Sequence, residues 1–214
     1  MIETKTLPFT TEDIIKAAGM HPLKARNIYI YGSQVYGTAR SGSDWDIILV
    51  GANLLAHEEI RKKIGDELLN IHIITPDKFS EGLKNHDIMN LECIFAPSWA
   101  KLQEKISMEE FQVNPKKLIK NNLAQSFSSW KGGKMKLNDG DIYRGLKSIF
   151  HSLKMLMFAI QILEHGKIVD YPQANYLYSE INDCDEVDWD YFKEKYLPFK
   201  VQLEEKLKSY GKSE

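Results

Sequence analysis

The sequence predicts an α+β fold in two parts, a small mixed-sheet domain over residues 1–112 followed by an all-helical domain over 113–214. Three observations carry this. Runs at 27–31, 46–50 and 69–75 are rich in Ile, Val, Leu and Tyr and have the length and patterning of strands. After about residue 112 every periodic stretch is helical. The longest of these, 139–165, places Ile142, Leu146, Ile149, Phe150, Leu153, Met157 and Ile160 on one apolar stripe.

Taken in order, Thr10 or Thr11 caps a helix running to about Met20, which His21-Pro22 ends. Residues 27–31 (NIYIY) form the first strand. Residues 46–50 (DIILV) form a second, apolar at consecutive positions, which implies a sheet covered on both faces. Leu54, Leu55, Glu58 and Arg61 are spaced for a helix over 54–68. Residues 69–75 (LNIHIIT) form the third strand, and Pro76 suits the first turn of the helix carrying Phe79 and Leu83. A short helix near 87–94 stops before Pro97. Asn114-Pro115 starts a helix to about Trp130, where Gly132-Gly133 breaks it. Gly166 closes the 139–165 helix, and two more follow near 172–182 and 188–209.

Bulk properties narrow the function classes. A chain of 214 residues is long enough to bury a sizeable core. Net charge is −2, from 28 basic and 30 acidic residues, so any nucleic-acid binding must come from a local patch. No apolar run approaches a membrane span and the N-terminus lacks the pattern of a secretory signal, so a cytoplasmic protein with no membrane partner is expected. Cys93 and Cys184 sit in no metal-binding spacing and read as intracellular thiols.

The chemistry concentrates in residues 31–48, YGSQVYGTARSGSDWDII. A strand runs into Gly32-Ser33, and the next strand opens on Asp44-Trp45-Asp46. Side chains alternate along a strand, so Asp44 and Asp46 point the same way, roughly 7 Å apart. Their repulsion is about 2.4 kcal/mol at an effective dielectric near 20. Such a pair in a cleft needs a cation, and a divalent metal with oxygen ligands is the natural one. Gly32 permits a tight turn, and Ser33 offers a hydroxyl and an N–H at the start of a short helix, a place suited to phosphate. As a lone motif, Asp-x-Asp would be no more than turn chemistry. The phosphate cradle within fifteen residues makes the combination specific.

Gly32-Ser33, Gly37 and Ser43-Asp44-Trp45-Asp46 together resemble the signature of the DNA polymerase β-like nucleotidyltransferases, in particular predicted bacterial and phage members with a helical second domain. Residues 86–97 (HDIMNLECIFAP) and 145–171 are similar to that group as well. The resemblance implies a polymerase β-like catalytic domain whose active-site cleft the helical domain closes. It implies phosphate contacts at Gly32 and Ser33, with Ser43 beside them in the nucleotide site, and Asp44 and Asp46 as ligands for Mg²⁺ or Mn²⁺. The implied reaction moves an NMP from an NTP, ATP among them, to a hydroxyl acceptor and releases pyrophosphate. The acceptor is open between an RNA 3′ end, a protein and a small molecule.

The sequence departs from that family in one respect. Members usually supply a third carboxylate from a neighbouring strand, whereas here the strand reads LNIHII and His72 takes the inward polar position. Three roles stay open for His72: metal ligand, general base for the acceptor, or a half-buried residue with a satisfied hydrogen bond. The departure also keeps a second function in view, a non-catalytic nucleotide- or RNA-binding or regulatory module on the same fold.

The long helix carries Arg144, Lys147, His151 and Lys154 at spacings of three, four and three, hence on one face. This is either a solvated basic face or a set of contacts to nucleotide phosphates, with Lys147, His151 and Lys154 the candidates. Lys131, Lys134 and Lys136 around Gly132-Gly133 suggest either a mobile lip on the cleft or an exposed loop. Tyr36 and Tyr171 are candidate stacking surfaces for a base that nothing in the sequence singles out.

Overall fold

The computed structural model describes residues 6–52, 58–107, 111–184 and 187–212. The chain divides into two compact units, one of Met1–Lys84 and Met89–Gln112, the other of Asn85–Ile88 and Val113–Glu214.

The first unit opens with α1 (Thr11–Ala17), started by a reciprocal capping box in which Thr10 and Asp13 satisfy each other's backbone N–H groups. It then builds a five-stranded mixed sheet. Its strands are β1 (Ala25–Tyr31), β2 (Trp45–Gly51), β3 (Glu58–Ile64), β4 (Glu67–Ile74) and β5 (Lys101–Glu104), in the order β3-β4-β2-β1-β5. β2 runs parallel to β4, and the other pairs are antiparallel. Ile47, Ile48, Leu49 and Val50 are all fully buried, so the apolar second strand is covered on both faces as its sequence implied. One face carries α3 (Pro76–Asn85) and α4 (Ile88–Phe95), with Phe79 stacked on Tyr29 at 5.7 Å.

One sequence expectation fails here, and one strand had none to test. The helix expected over 54–68 is a strand from Glu58 to Ile64, and residues 53–57 lie outside the described residues. The ladder to β4 overrides the helical spacing. Gly65, with φ 59°, takes the first central position of a two-residue loop joining Ile64 to Glu67, where a tight hairpin calls for glycine. Arg61, Lys62 and Lys63 suit a strand at the sheet edge, because charge discourages pairing with another chain. β5 had no expectation at all: four residues carry no usable period, and pairing with β1 makes the strand.

The second unit holds α5 (Pro115–Asn138), α6 (Ile142–His165), α7 (Asn175–Asn182) and α8 (Trp189–Ser209). Its core joins Trp130, Ile149, Phe150 and Leu153 to Leu177, Ile181 and Phe192. α6 is long and apolar enough to cross a membrane, but most of it is buried in this core. Residues 85–88 belong to this unit through polar contacts to α5. The Asn114 N–H donates to His86 Nε2 at 2.8 Å, and the Asn121 and Gln125 side chains donate to Asp87 at 2.8 and 2.7 Å.

The break expected at Gly132-Gly133 does not occur, and α5 passes straight through both residues. A Cβ on Gly133 would sit 2.9 Å from Ile149 Cγ1 and 3.2 Å from the Gly145 carbonyl oxygen. Glycine here lets α6 approach, and the seam continues through Ser126 and Ser129, whose hydroxyls donate to the carbonyls of Ser152 and Ser148. The mobile lip expected at Lys131, Lys134 and Lys136 is therefore part of a regular helix. Lys134 lies over the Trp189 ring and Lys136 donates to Ser148 Oγ at 2.9 Å.

Candidate active site

The candidate site of the first unit forms where β1 ends and β2 begins. Tyr31, the last residue of β1, pairs with Asp46. The chain then turns at Gly32, with φ 76° and ψ −154°, into the four-residue α2 (Ser33–Tyr36), and Gly37 at φ 81° closes it. No side chain fits at Gly32: a Cβ there would lie 2.4 Å from Asp46 Oδ2. The turn and the carboxylate are thus built against each other, and glycine is needed both for its backbone angles and for that close approach.

The other oxygen of Asp46 is held from β4. Asp46 pairs with Asn70 across the parallel ladder, and Asn70 Nδ2 donates to Asp46 Oδ1 at 3.2 Å. Asn70 is 6 % exposed, and its own Oδ1 is buried with no hydrogen-bond partner among the described residues. A buried acceptor left unmade costs about 1–3 kcal/mol, so its presence needs a reason.

His72 lies two residues further along β4, opposite Ile48, on the same face of the sheet. Asn70 Nδ2 approaches His72 Nε2 at 3.1 Å. An amide nitrogen only donates, so His72 Nε2 accepts the amide proton and the ring carries its own N–H on Nδ1. Turning the amide over would set its oxygen against the Asp46 carboxylate, so Asp46 selects the orientation. The residue facing Asp46 is therefore Asn70, where the sequence pointed to His72. Alternation puts residues 70 and 72 on one face, and only the ladder register tells them apart.

Asp44 precedes β2 by one residue, so strand alternation does not govern it as the sequence suggested. It is half-buried, and its carboxylate makes no hydrogen bond or ion pair among the described residues. Ser33 is half-buried beside Gly32. Ser43 is engaged in its own turn: its hydroxyl accepts from the Arg40 N–H at 2.8 Å, and its N–H donates to the Arg40 carbonyl at 2.9 Å. Tyr36 is not a stacking surface, because it is buried with its hydroxyl donating to the Glu92 carboxylate. Tyr171 is likewise buried, edge-on to Phe158.

The oxygens present suit a divalent cation. The Asp44 carboxylate, Asp46 Oδ2 and the orphaned Asn70 Oδ1 are hard donors at one end of the sheet. They are not a third-acid set, since among the described residues no three His, Cys, Asp or Glu side chains come together to hold a metal.

The basic face of α6 lies in the second unit. Arg144 and Lys147 are exposed, His151 is half-buried, and Lys154 is buried with its ammonium 5.1 Å from the centre of the Phe158 ring. Burial holds the His151 imidazole well below its ordinary value, and Lys154, Lys147 and Lys136 push it the same way. The candidate nucleotide residues Lys147, His151 and Lys154 therefore share one electrostatic neighbourhood, which Lys136 of α5 joins.

Comparison with known proteins agrees with the fold. Residues 18–114 match the family model of the nucleotidyltransferase domain. No curated protein matches the chain. Among solved structures, spectinomycin adenyltransferase AAD(9) from Enterococcus faecialis, with ATP and spectinomycin, has 14% sequence identity and a TM-score of 0.50, over 94% of this chain and 100% of that one. A nucleotidyltransferase-like protein from Exiguobacterium sibiricum 255-15 has 12% identity and a TM-score of 0.36, over 94% of this chain and 74% of that one. An aminoglycoside 6-adenyltransferase from Bacillus subtilis has 10% identity and a TM-score of 0.32, over 94% and 88%.

Proposed function

We propose, for a chain whose residues 18–114 match the family model of the nucleotidyltransferase domain, a metal-dependent transfer of an NMP from an NTP to a hydroxyl acceptor with release of pyrophosphate. The observation that carries this is the contact of the Gly32 turn with the Asp46 carboxylate, which sets an anion-receiving backbone beside a cation-receiving side chain. Bound magnesium or manganese would be held by Asp44 and Asp46, with Asn70 Oδ1 as a neutral third oxygen, and would supply charge neutralisation at the reacting phosphate.

On this reading the chain's own residues hold the triphosphate and orient the carboxylate that faces it. Gly32 and Ser33 bind the triphosphate through backbone N–H groups and the Ser33 hydroxyl. Asn70 fixes the Asp46 carboxylate, and His72 fixes Asn70 by accepting its second N–H. Catalysis is then mostly positioning and charge stabilisation. We place the reaction in the cytoplasm, which the two free thiols suit.

The acceptor class is an RNA 3′ end, a protein or a small molecule. A net charge of −2 disfavours long nucleic acids, since phosphate contacts usually supply that affinity. The first small molecule to try is spectinomycin, which the adenyltransferase neighbour holds with ATP. The test incubates the full chain with labelled NTPs, magnesium or manganese, and these acceptors. Transfer and pyrophosphate release are expected, both lost in Asp44→Asn. Their absence with every metal and acceptor, or an Asp44→Asn variant equal to wild type, would sink the proposal.

A second reading rests on Asn70, whose carboxamide is no acid. On that reading the chain binds nucleotide without turning it over. NTP binding that persists in Asp44→Asn with chelator present would favour it.

A further inference from the structure

We infer that Glu92, acting through Tyr36, is a positioning residue that holds the Gly32–Gly37 turn in its working shape; its value to nucleotide binding rests on the reading proposed above. The turn has little rigidity of its own. α2 is a single helical turn bounded by two glycines of positive φ. Its backbone hydrogen bonds converge on two carbonyls: the Val35 and Tyr36 N–H groups donate to Gly32, and those of Gly37 and Thr38 to Ser33, at 3.0–3.1 Å. A helix this short does not sustain itself in isolation.

The hold comes from outside. Tyr36 is the last residue of α2, and its hydroxyl donates to a Glu92 carboxylate that is only 4 % exposed. Burying a carboxylate is costly, and an apolar pair would fill the same space for less. What the polar pair adds is direction, since a hydroxyl meets a carboxylate from only a few angles and so sets the Tyr36 ring and the backbone attached to it.

The anchor is itself fixed. On α4, two residues before Glu92, Asn90 Nδ2 donates to the Phe79 carbonyl at 3.2 Å. A Cβ on Gly82 of α3 would collide with the Asn90 side chain at 2.5 Å, so the two helices are in close contact. Phe79 in turn stacks on Tyr29 of β1, two residues before Tyr31. The path from β1 through α3, α4 and Glu92 returns by Tyr36 to the turn that β1 enters, a closed mechanical loop around Gly32. Glu92 also lies within the field of the site. Burial raises the Tyr31 phenol first, then Asp46, Cys93 and Glu92 raise it further, so Glu92 and Asp46 act on one side chain.

The test compares the wild-type chain with Tyr36→Phe, Glu92→Ala and Glu92→Gln by hydrogen–deuterium exchange of residues 33–38, with magnesium-ATP affinity measured in parallel. Tyr36→Phe and Glu92→Ala are expected to speed exchange in 33–38 by about tenfold, leave β1 and β2 as they were, and weaken magnesium-ATP by about tenfold. Glu92→Gln keeps an acceptor for the hydroxyl and restores most of both. Exchange in 33–38 as slow as in wild type, or a uniform rise across the sheet, overturns the inference. Faster exchange confined to the turn, in a chain whose wild type binds no nucleotide triphosphate, upholds the hold on the turn and sinks the nucleotide reading instead.

Discussion

Gly32 and Gly132-Gly133, one site in each unit, carry the same residue type and do opposite work. At Gly32 the chain turns sharply, with φ 76°, and the missing side chain makes room for the Asp46 carboxylate. At Gly132-Gly133 the helix runs on unbroken, and the missing side chain of Gly133 makes room for Ile149 and the Gly145 carbonyl of α6. Gly132, next in sequence, faces open space. What a glycine means is set by what approaches it, and that neighbour can be far away in the chain.

The largest expected effect is at the turn. Gly32→Ala forces a side chain into both a positive φ and the space of Asp46 Oδ2. NTP-dependent transfer should fall by at least about 100-fold, because small displacements at a reacting centre carry costs of that size. A steady-state assay giving wild-type turnover would show that the turn and Asp46 do not act together.

Asn70→Asp sharpens the picture of the same end of the sheet. A second carboxylate against Asp46 should cost about 1–3 kcal/mol of stability without metal, recovered on adding magnesium. Thermal melts with and without magnesium read this directly. A variant as stable as wild type in chelator would mean that position 70 does not share the Asp46 environment.

On the helical side, burial and three lysines keep His151 neutral to lower pH in the folded chain than in the unfolded one. The unfolded state therefore takes the proton first, near its ordinary value of 6.5. Stability is full above that pH and declines as pH falls through it, at up to about 1.4 kcal/mol per pH unit for one group. Urea midpoints measured as pH falls from about 7.5 to 5 should show this decline in wild type and a shallower one in His151→Gln. Parallel declines would remove His151 from the lysine cluster.

The smallest effects separate two adjacent glycines. Gly133→Ala gains helix propensity but must displace Ile149, for a net loss of about 1 kcal/mol. Gly132→Ala meets nothing and should gain about 0.5–1 kcal/mol. Equal and stabilising effects at both positions would mean that α5 and α6 do not meet closely at Gly133.

Much of the fold was legible because its signals are short. The Thr10 cap, Pro76 at the start of α3, the α6 stripe and the turn between β1 and β2 each depend on residues within a few positions of one another. β3 was missed because Leu54, Leu55, Glu58 and Arg61 are spaced for a helix, and the partner that makes 58–64 a strand is β4. β5 was missed because four residues hold no period at all.

The candidate site divides in the same way. Gly32, Ser33, Asp44 and Asp46 stand out in the sequence because one short stretch contains both the turn and the acids. Asn70 does not, because residues 70 and 72 share a face and nothing local distinguishes them. Glu92 was visible only as one more acid on a short helix until its carboxylate was found on the Tyr36 hydroxyl.

By itself, then, the sequence determined the two-part α+β organisation and the Gly-Ser to Asp-x-Asp block, since caps, turns and periodic burial are written within one or two turns of chain. Tertiary structure alone decided that Asn70 faces Asp46, that 58–64 is a strand and that α5 survives its glycines. Ladder register and close helix approach are settled between segments brought together only by folding, and no local pattern encodes which partner arrives.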